Sequence, residues 1–183
     1  NHNLPAALTS FIGREDQIEE VKSRLRETRL LTLTGTGGTG KTRLSMRVGE
    51  DVIDEYPDGV WFVELASISD PGLIPNVVAA VLGVRDAPDQ TPGEDAREPS
   101  AQPLMTALTQ YLRTRRTLLL LDNCEHLVEE AARFAETLLL GCPALRILAT
   151  SREILGVNGE TAWRAPPLSI PALDADLRDI DLT

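Results

Sequence analysis

The glycine-rich run Leu30–Ser45, LLTLTGTGGTGKTRLS, constrains the fold of this chain more than any other segment. An apolar, β-rich run leads into it and a helical pattern follows it, which predicts a strand, a tight turn and a helix in that order. Two motifs overlap in the turn. Gly35, Gly37 and Gly40 form the G-x-G-x-x-G pattern of dinucleotide loops, whereas 35–42 form the G-x-x-x-x-G-K-T pattern of triphosphate loops.

The residues at the end of this turn favour a triphosphate over a dinucleotide. A triphosphate loop needs a lysine that reaches the β- and γ-phosphates and a neighbouring hydroxyl that ligates Mg²⁺, and Lys41 and Thr42 meet both requirements. We expect Lys41 to lie on an exposed loop. Backbone N–H groups of 38–42 would converge on the phosphates at a helix N-terminus, where the helix dipole favours negative charge. Glu64, at the end of the predicted second strand, suits a dinucleotide ribose but does not outweigh Lys41 and Thr42.

Apolar, β-rich runs alternate with amphipathic stretches along the chain, which is typical of a parallel sheet flanked by helices. The predicted strands are Arg29–Thr34, Val60–Leu65, Thr117–Asp122, Leu145–Thr150 and Thr161–Ala165. The predicted helices are Asp16–Glu27, Lys41–Tyr56, Gly72–Leu82, Leu104–Arg113 and His126–Leu140. We therefore expect an α/β fold, a three-layer α/β/α sandwich of the P-loop NTPase type with a five-stranded, mainly parallel sheet.

The length of 183 residues predicts a single domain, which we place at 1–173. Within this domain, 85–103 lacks apolar periodicity and is rich in Pro, Asp and Glu, so it predicts a mobile loop. The remaining residues, 174–183, form an acidic tail.

Composition and charge disfavour several classes of partner. The net charge is −10, which disfavours direct binding of nucleic acid because phosphate backbones require a clustered positive surface. No apolar stretch approaches the roughly 20 residues that a membrane-spanning helix needs, and no signal-peptide pattern is present. Cys124 and Cys142 lie in apolar surroundings and are interpreted as reduced core thiols. These features indicate a soluble, cytoplasmic protein without a membrane partner.

The run LLLLDNCEH delivers Asp122 to the carboxyl end of a buried strand. At that position a carboxylate can hold Mg²⁺ and its waters beside the phosphate loop. A second interpretation is that Asp122 or Asn123 caps the helix that follows. Because the partner loop is present, we favour the metal interpretation, with Thr42 and Asp122 as candidate Mg²⁺ ligands.

The residue that orients the attacking water is less well marked, because Asn123 stands where many ATPases carry a second acid. Glu125, or His126 with weaker support, could do this work, although an acid at a strand end is often only solvated. We expect slow hydrolysis.

The strand in LATSRE ends at Thr150, Ser151 and Arg152. At the carboxyl edge of a parallel sheet, next to the phosphate-loop strand, Arg152 can contact the γ-phosphate and so distinguish ATP from ADP. The alternative is an incidental surface arginine.

Five segments together resemble the nucleotide-binding domain of STAND-class signalling ATPases, and among these the large bacterial transcriptional regulators of the AfsR/SARP and LuxR type. The segments are LTSFIGREDQIEEV, LLTLTGTGGTGKTRL, GVWFVELASISDPGLI, LLLLDNCEHL and LRILATSREILGVNGETAWRAPPLSIP. The resemblance spans nearly the whole chain and fails in 85–103.

This resemblance implies specific residue roles. The Walker A residues of the family fall on Gly35, Gly40, Lys41 and Thr42, its Walker B aspartate on Asp122 and its phosphate-sensing arginine on Arg152. Its FIGRE element covers the adenine. The candidate nucleotide-binding residues are Phe11, Ile12, Gly13, Arg14, Gly35, Gly37, Gly38, Thr39, Gly40, Lys41, Thr42 and Arg43. The candidate catalytic residues are Lys41, Asp122, Glu125 and Arg152.

The resemblance also implies a function, an ATP/ADP switch with slow Mg²⁺-dependent hydrolysis. Members are closed and inactive with ADP and open and self-associating with ATP, and their other domains supply sensing and output. The acidic tail would lead to a helical domain that completes the adenine site in the family. Two alternatives stay open, an AAA+-like ATPase that remodels a partner and a nucleotide-bound scaffold without turnover. A remodelling ATPase needs an arginine finger, which no feature of the sequence marks, and Arg115 and Arg116 stay open for this role.

Overall fold

The computed structural model describes residues 1–5, 14–85 and 101–167, with backbone alone at 101–103. Its helices are α1 (Glu15–Glu27), α2 (Lys41–Asp51), α3 (Ile74–Leu82), α4 (Ala101–Leu112) and α5 (Val128–Gly141). Its strands are β1 (Leu30–Thr34), β2 (Val60–Glu64), β3 (Leu118–Asp122), β4 (Arg146–Ser151) and β5 (Glu160–Arg164). Short 3₁₀ turns occupy Ile53–Glu55, Pro71–Leu73 and Cys124–His126.

The five strands form one sheet in the order β2-β3-β4-β1-β5, and every pair is parallel. The predicted α/β fold of the P-loop NTPase type is therefore confirmed. The same order argues against a dinucleotide fold, in which β2 lies beside β1. Here β3 and β4 separate the two strands, so Glu64 ends the edge strand away from the glycine loop.

Alternate residues of the central strands enter two separate cores. Leu31 and Leu33 of β1 pack with α1 and α2 on one face, whereas Leu30 packs with α3, α4 and α5 on the other. Leu118 and Leu120 of β3 enter the first core, and Leu119 and Leu121 enter the second. Parallel strands that are covered by helices on both faces read as continuous apolar runs for this reason. The sheet is thus the middle of three layers, as predicted.

Some predicted element boundaries were wrong by more than two residues. The helix predicted over Lys41–Tyr56 ends at Asp51, and a 3₁₀ turn at Ile53–Glu55 brings Tyr56 into the core. Helix α4 begins at Ala101, three residues inside the predicted loop 85–103, because a proline in the first turn lacks only an N–H that the helix does not use.

Three predictions lie outside the described residues. They are the adenine-pocket positions Phe11, Ile12 and Gly13, the loop positions 86–100 and the acidic tail 174–183. Within the residues that are described, no helix has the length and apolarity needed to cross a membrane.

Candidate nucleotide site

The glycine loop connects the carboxyl end of β1 to the first residue of α2. Gly38 and Gly40 have φ of 79° and 76°, a left-handed backbone that residues with a Cβ rarely adopt. Gly40 is the N-cap of α2, so the loop amides and the helix N-terminus face the same space. Loop residues, Asn123, Glu125 and Thr150 line a cavity of about 270 Å³ there. This arrangement suits anionic groups such as phosphates.

Lys41 is buried, with 8% of its surface exposed, so the expectation of an exposed loop residue was wrong. Its Nζ donates to the Gly35 carbonyl at 2.8 Å and to the Thr36 carbonyl at 3.0 Å. The loop therefore satisfies two of the three donors of the ammonium, and these bonds hold the ammonium under the loop. Lys41 therefore has a structural role in addition to its charge beside the cavity.

Asp122 ends β3 directly beside this loop and is 4% exposed. Its Oδ1 accepts hydrogen bonds from the Thr42 hydroxyl at 2.8 Å and from the Thr150 hydroxyl at 2.6 Å. The alternative role as a helix cap is not seen, since neither Cys124–His126 nor α5 has a side-chain cap. The structure thus brings together the two candidate Mg²⁺ ligands, Thr42 and Asp122.

Thr150 is a residue of this site that the sequence analysis did not select. Its hydroxyl donates to Asp122 and accepts from the backbone N–H of Asn123 at 2.9 Å. Asn123 has φ of 64°, and it is the one residue other than glycine with positive φ in the described part of the chain. Thr150 therefore fixes the end of β3 from the neighbouring strand. The sequence feature that could have identified Thr150 is a hydroxyl residue at the end of a buried strand. This feature indicates a contact with Asp122 only when β3 and β4 are known to be neighbours.

Glu125 and Arg152 form an ion pair at the rim of the cavity. Arg152 Nη2 lies 2.9 Å from Glu125 Oε1, and the two side chains are 67% and 20% exposed. His126, the alternative to Glu125, instead places Nε2 2.9 Å from the Ile68 carbonyl. Glu125 lines the cavity beside the glycine loop, and His126 is not among the lining residues of that cavity.

Other candidate nucleotide residues surround the same loop. Arg14 is 5% exposed, and its Nη2 donates to the Pro166 carbonyl at 3.1 Å. Its Nη1 would lie 3.7 Å from a Cβ at Gly40 and has no hydrogen-bond partner within the described residues. Thr39 is buried and donates to the Thr36 carbonyl, whereas Arg43 is exposed on the first turn of α2. Arg14 is therefore a buried donor beside the loop.

The cysteines behave as core residues. Cys124 and Cys142 are free and buried. Burial raises the pKa of the Cys124 thiol to about 12, and the negative charge of Asp122 adds to the shift. A thiol with this pKa is protonated and unreactive at neutral pH, so Cys124 is not a nucleophile.

A family model described as an AAA domain matches residues 24–156, which contain the glycine loop, Asp122 and Arg152. This chain belongs to that family. The match covers more than half of the chain and includes four of the five strands.

Relatives of this AAA domain include regulators. An uncharacterized protein of Mycobacterium tuberculosis is 38% identical over 169 residues, which are 92% of this chain and 40% of the relative. A protein of the same organism named as a candidate HTH-type transcriptional regulator is 40% identical over 150 residues, 82% of this chain and 15% of that protein. The regulatory protein AfsR of Streptomyces griseus is 31% identical over 160 residues, 81% of this chain and 15% of AfsR. The chain thus spans 40% or less of these proteins, and its predicted resemblance to AfsR-type regulators is confirmed.

Solved structures support the same fold. Cdc6p from Pyrobaculum aerophilum matches 89% of this chain and 47% of its own chain, with a TM-score of 0.60 and 18% identity. A STAND protein with a tetratricopeptide repeat sensor from Pyrococcus horikoshii matches 88% of this chain and 24% of its own, with a TM-score of 0.54 and 14% identity. At these identities the likeness concerns the fold.

Proposed function

We propose that this AAA domain is an ATP/ADP-binding switch with slow, Mg²⁺-dependent ATP hydrolysis, which controls a cytoplasmic bacterial signalling or transcriptional regulator. The observation that carries the proposal is the contact between Thr42 and Asp122 beside the glycine loop. A loop for phosphates, a hydroxyl and a buried carboxylate are the three parts that a Mg²⁺–triphosphate complex requires.

The Thr42 and Asp122 oxygens fit Mg²⁺ chemically, because this ion takes oxygen ligands and is usually bound by one or two carboxylates with substrate phosphates and waters. Mg²⁺ held by these two residues would supply charge neutralisation for the phosphates of the nucleotide. The chain itself contributes the loop amides, which hold the phosphates, and the Lys41 ammonium, which is already placed under the loop. The hydrogen bond from Thr150 holds the Asp122 carboxylate in the orientation in which it also accepts a hydrogen bond from Thr42.

The rim ion pair supports slow turnover. Glu125 is the candidate that would orient the attacking water, and it is engaged by the Arg152 guanidinium. While this pair persists, the guanidinium occupies Oε1 of the carboxylate, so that oxygen is not open to an attacking water. Hydrolysis would therefore require Arg152 to leave Glu125.

The same pair supports a switch. Arg152 is exposed enough to rotate towards a γ-phosphate, which only ATP provides. In that state it would release Glu125. ADP leaves the original pair intact, so the two nucleotides would select different positions of one side chain.

The adenine side of the site remains a prediction from the family resemblance at Phe11, Ile12, Gly13 and Arg14. The buried Nη1 of Arg14, which has no hydrogen-bond partner among the described residues, supports a nucleotide contact at that position. A buried donor without a partner is costly, and a bound nucleotide would satisfy it.

The regulator role is supported by the 31% identity to AfsR. We expect other domains of the parent protein to be its partners, with self-association in the ATP state. We expect no direct binding of nucleic acid by this chain, because its net charge is −10.

The proposal is tested with Asp122→Asn. We expect this variant to lose Mg²⁺-dependent hydrolysis far more than ADP affinity, because the loop amides that hold the β-phosphate are unchanged. Asp54→Asn, an exposed acid after α2, is the matched control. Phosphate release and calorimetric titration of ADP would be measured on both. Equal loss of hydrolysis and ADP affinity by a correctly folded variant would contradict the metal role.

The wild-type rate also separates the alternatives. Hydrolysis that is absent at saturating ATP would favour a nucleotide-bound scaffold. Rapid hydrolysis that depends on protein concentration would favour a remodelling ATPase with an arginine supplied by a neighbouring subunit.

A further inference from the structure

A second cluster of positive charge lies at the amino end of the sheet, on the opposite edge from the glycine loop. Arg29, Arg116 and Arg146 line one cavity of about 150 Å³, together with Pro143 and Ala144. We call this cavity the arginine pocket. None of its lining residues is acidic.

The strand order brings the three arginines together. Arg29 immediately precedes β1, Arg146 is the first residue of β4, and Arg116 lies two residues before β3. These strands are neighbours in the sheet, in the order β3-β4-β1. Backbone hydrogen bonds align the first residues of these strands. Ile147 N donates to the Arg29 carbonyl at 2.8 Å, and Arg146 N donates to the Thr117 carbonyl at 3.0 Å. The cluster is therefore built into the register of the sheet.

Two of the guanidinium groups are anchored by neutral carbonyls. Arg146 Nη1 donates to the carbonyls of Leu25, at 2.8 Å, and Thr28 at the end of α1. Arg29 Nη1 donates to the Leu139 carbonyl near the end of α5 at 2.7 Å. Carbonyls at helix C-termini hold a guanidinium in position but carry no full negative charge. The arginines are thus fixed without being neutralised.

Acidic residues lie near the pocket, and two of them, Glu27 and Glu136, line a neighbouring cavity with Arg29. Asp58 accepts from the backbone N–H of Arg116 at 2.8 Å and lies 3.8 Å from the Arg115 guanidinium. Glu55 is paired with Arg26, which holds the pKa of that carboxyl below its usual value, and the charge of Arg116 lowers the pKa further. Among the described residues, no carboxylate lies within 4.0 Å of a guanidinium that lines the pocket.

We propose that the arginine pocket binds an oxyanion group, a phosphate or a carboxylate. The three arginines that line this small cavity carry like charges, and an anion bound there would reduce the repulsion between them. Guanidinium groups present planar N–H forks that match both kinds of oxyanion. The cavity is smaller than the one beside the glycine loop, about 150 Å³ against about 270 Å³, which suits a single small oxyanion group. General attraction of anions does not explain the site, because the chain as a whole is negative.

The test must separate this pocket from the glycine loop, which also takes phosphate in the proposed function. We would therefore titrate the ¹⁵N-labelled chain with inorganic phosphate at constant ionic strength and follow assigned amide signals. The Ala144 and Arg146 amides report on the arginine pocket, and the Gly38 and Gly40 amides report on the loop. Failure of one site is then visible independently of the other.

We expect saturable shifts at Ala144 and Arg146, with a dissociation constant on the order of 10 mM or below. Arg116→Gln should weaken this binding roughly tenfold, as expected for loss of one charge-assisted contact. Arg133→Gln, an exposed arginine of α5, is the matched control and should leave it unchanged. Arg29→Gln provides a second variant, and Arg146 is left intact because it anchors α1.

Each outcome decides the proposal. The absence of saturable shifts at Ala144 and Arg146 overturns it, as do shifts that survive both Arg116→Gln and Arg29→Gln. A parallel titration with acetate distinguishes the source of the oxyanion. Tighter binding of phosphate assigns the pocket to a phosphate group, and equal or tighter binding of acetate assigns it to a carboxylate.

Discussion

Replacement of Arg152 by alanine tests whether the rim ion pair responds to the γ-phosphate. In the structure the Arg152 side chain is 67% exposed and pairs with Glu125 at 2.9 Å. An exposed pair of this kind is worth about 0–1 kcal/mol. A charge-assisted contact with a phosphate is worth about 1.5–3 kcal/mol. Because Arg152 gives up the first contact to make the second, it should contribute about 0.5–3 kcal/mol to ATP binding.

This free energy corresponds to a roughly twofold to hundredfold loss of ATP affinity in Arg152→Ala. ADP affinity should stay nearly constant, because ADP has no γ-phosphate. The assay is a pair of calorimetric titrations with Mg²⁺, one with a nonhydrolysable ATP analogue and one with ADP. Arg133→Ala is a matched control, since Arg133 is 70% exposed and pairs with Glu129 at 3.2 Å.

Two results would refute the reasoning. Parallel losses for both nucleotides would indicate a role in folding or at the β-phosphate. Unchanged affinity for both would make Arg152 incidental and leave the switch without a sensor. The difference between the contributions of Arg152 to ATP binding and to ADP binding also limits the proposed switch. A ligand shifts a conformational equilibrium only by its difference in affinity for the two states.

Three further predictions concern the loop, the base and the metal. Lys41→Met, which keeps the apolar stem and removes the charge, should abolish detectable nucleotide binding in a titration; unchanged ATP and ADP affinity would remove the phosphate-loop assignment. ATP should outcompete GTP, because guanine-selective P-loop proteins use an Asn/Thr-Lys-x-Asp element and neither lysine of this sequence lies in one; tighter GTP binding would overturn this. Thr150→Val should lower the unfolding free energy by about 1–3 kcal/mol, since it removes one of the two hydrogen bonds to the buried Asp122 Oδ1 and the acceptor of the Asn123 N–H. It should also reduce hydrolysis more than ADP binding, and Thr150→Ser should restore both; a loss of stability alone would show that Thr150 does not position Asp122.

The sheet could be predicted closely because its strands carry strong local signals. The run before Asp122 is continuously apolar and ends at a charge, and the structure places β3 within one residue of the prediction. The helix after Lys41 was overextended because hydrophobic periodicity does not distinguish an α-helix from a 3₁₀ turn. In the structure the α-helix ends at Asp51 and a 3₁₀ turn follows at Ile53–Glu55, which is common at helix C-termini.

Contacts within the site were only partly predictable. The proximity of Thr42 and Asp122 follows from a motif and a strand end at the same sheet edge, and their contact is seen. The link from Thr150 to Asp122 depends on β3 and β4 being neighbours, which no local pattern specifies. The burial of Lys41 depends on the path of the loop backbone, whose carbonyls at Gly35 and Thr36 turn inward to the ammonium.

The position of β4 restricts how a nucleotide signal could leave the domain. Arg146 of the arginine pocket begins this strand, and Ser151 ends it next to Arg152, roughly 17 Å away at 3.3 Å per residue. Between them Ile147, Leu148 and Ala149 are fully buried in the two cores. Close-packed strands of this kind have one arrangement, whereas coupling between sites requires an element with two. In the proposed switch we therefore expect the signal to pass through the exposed Arg152 side chain and not through β4.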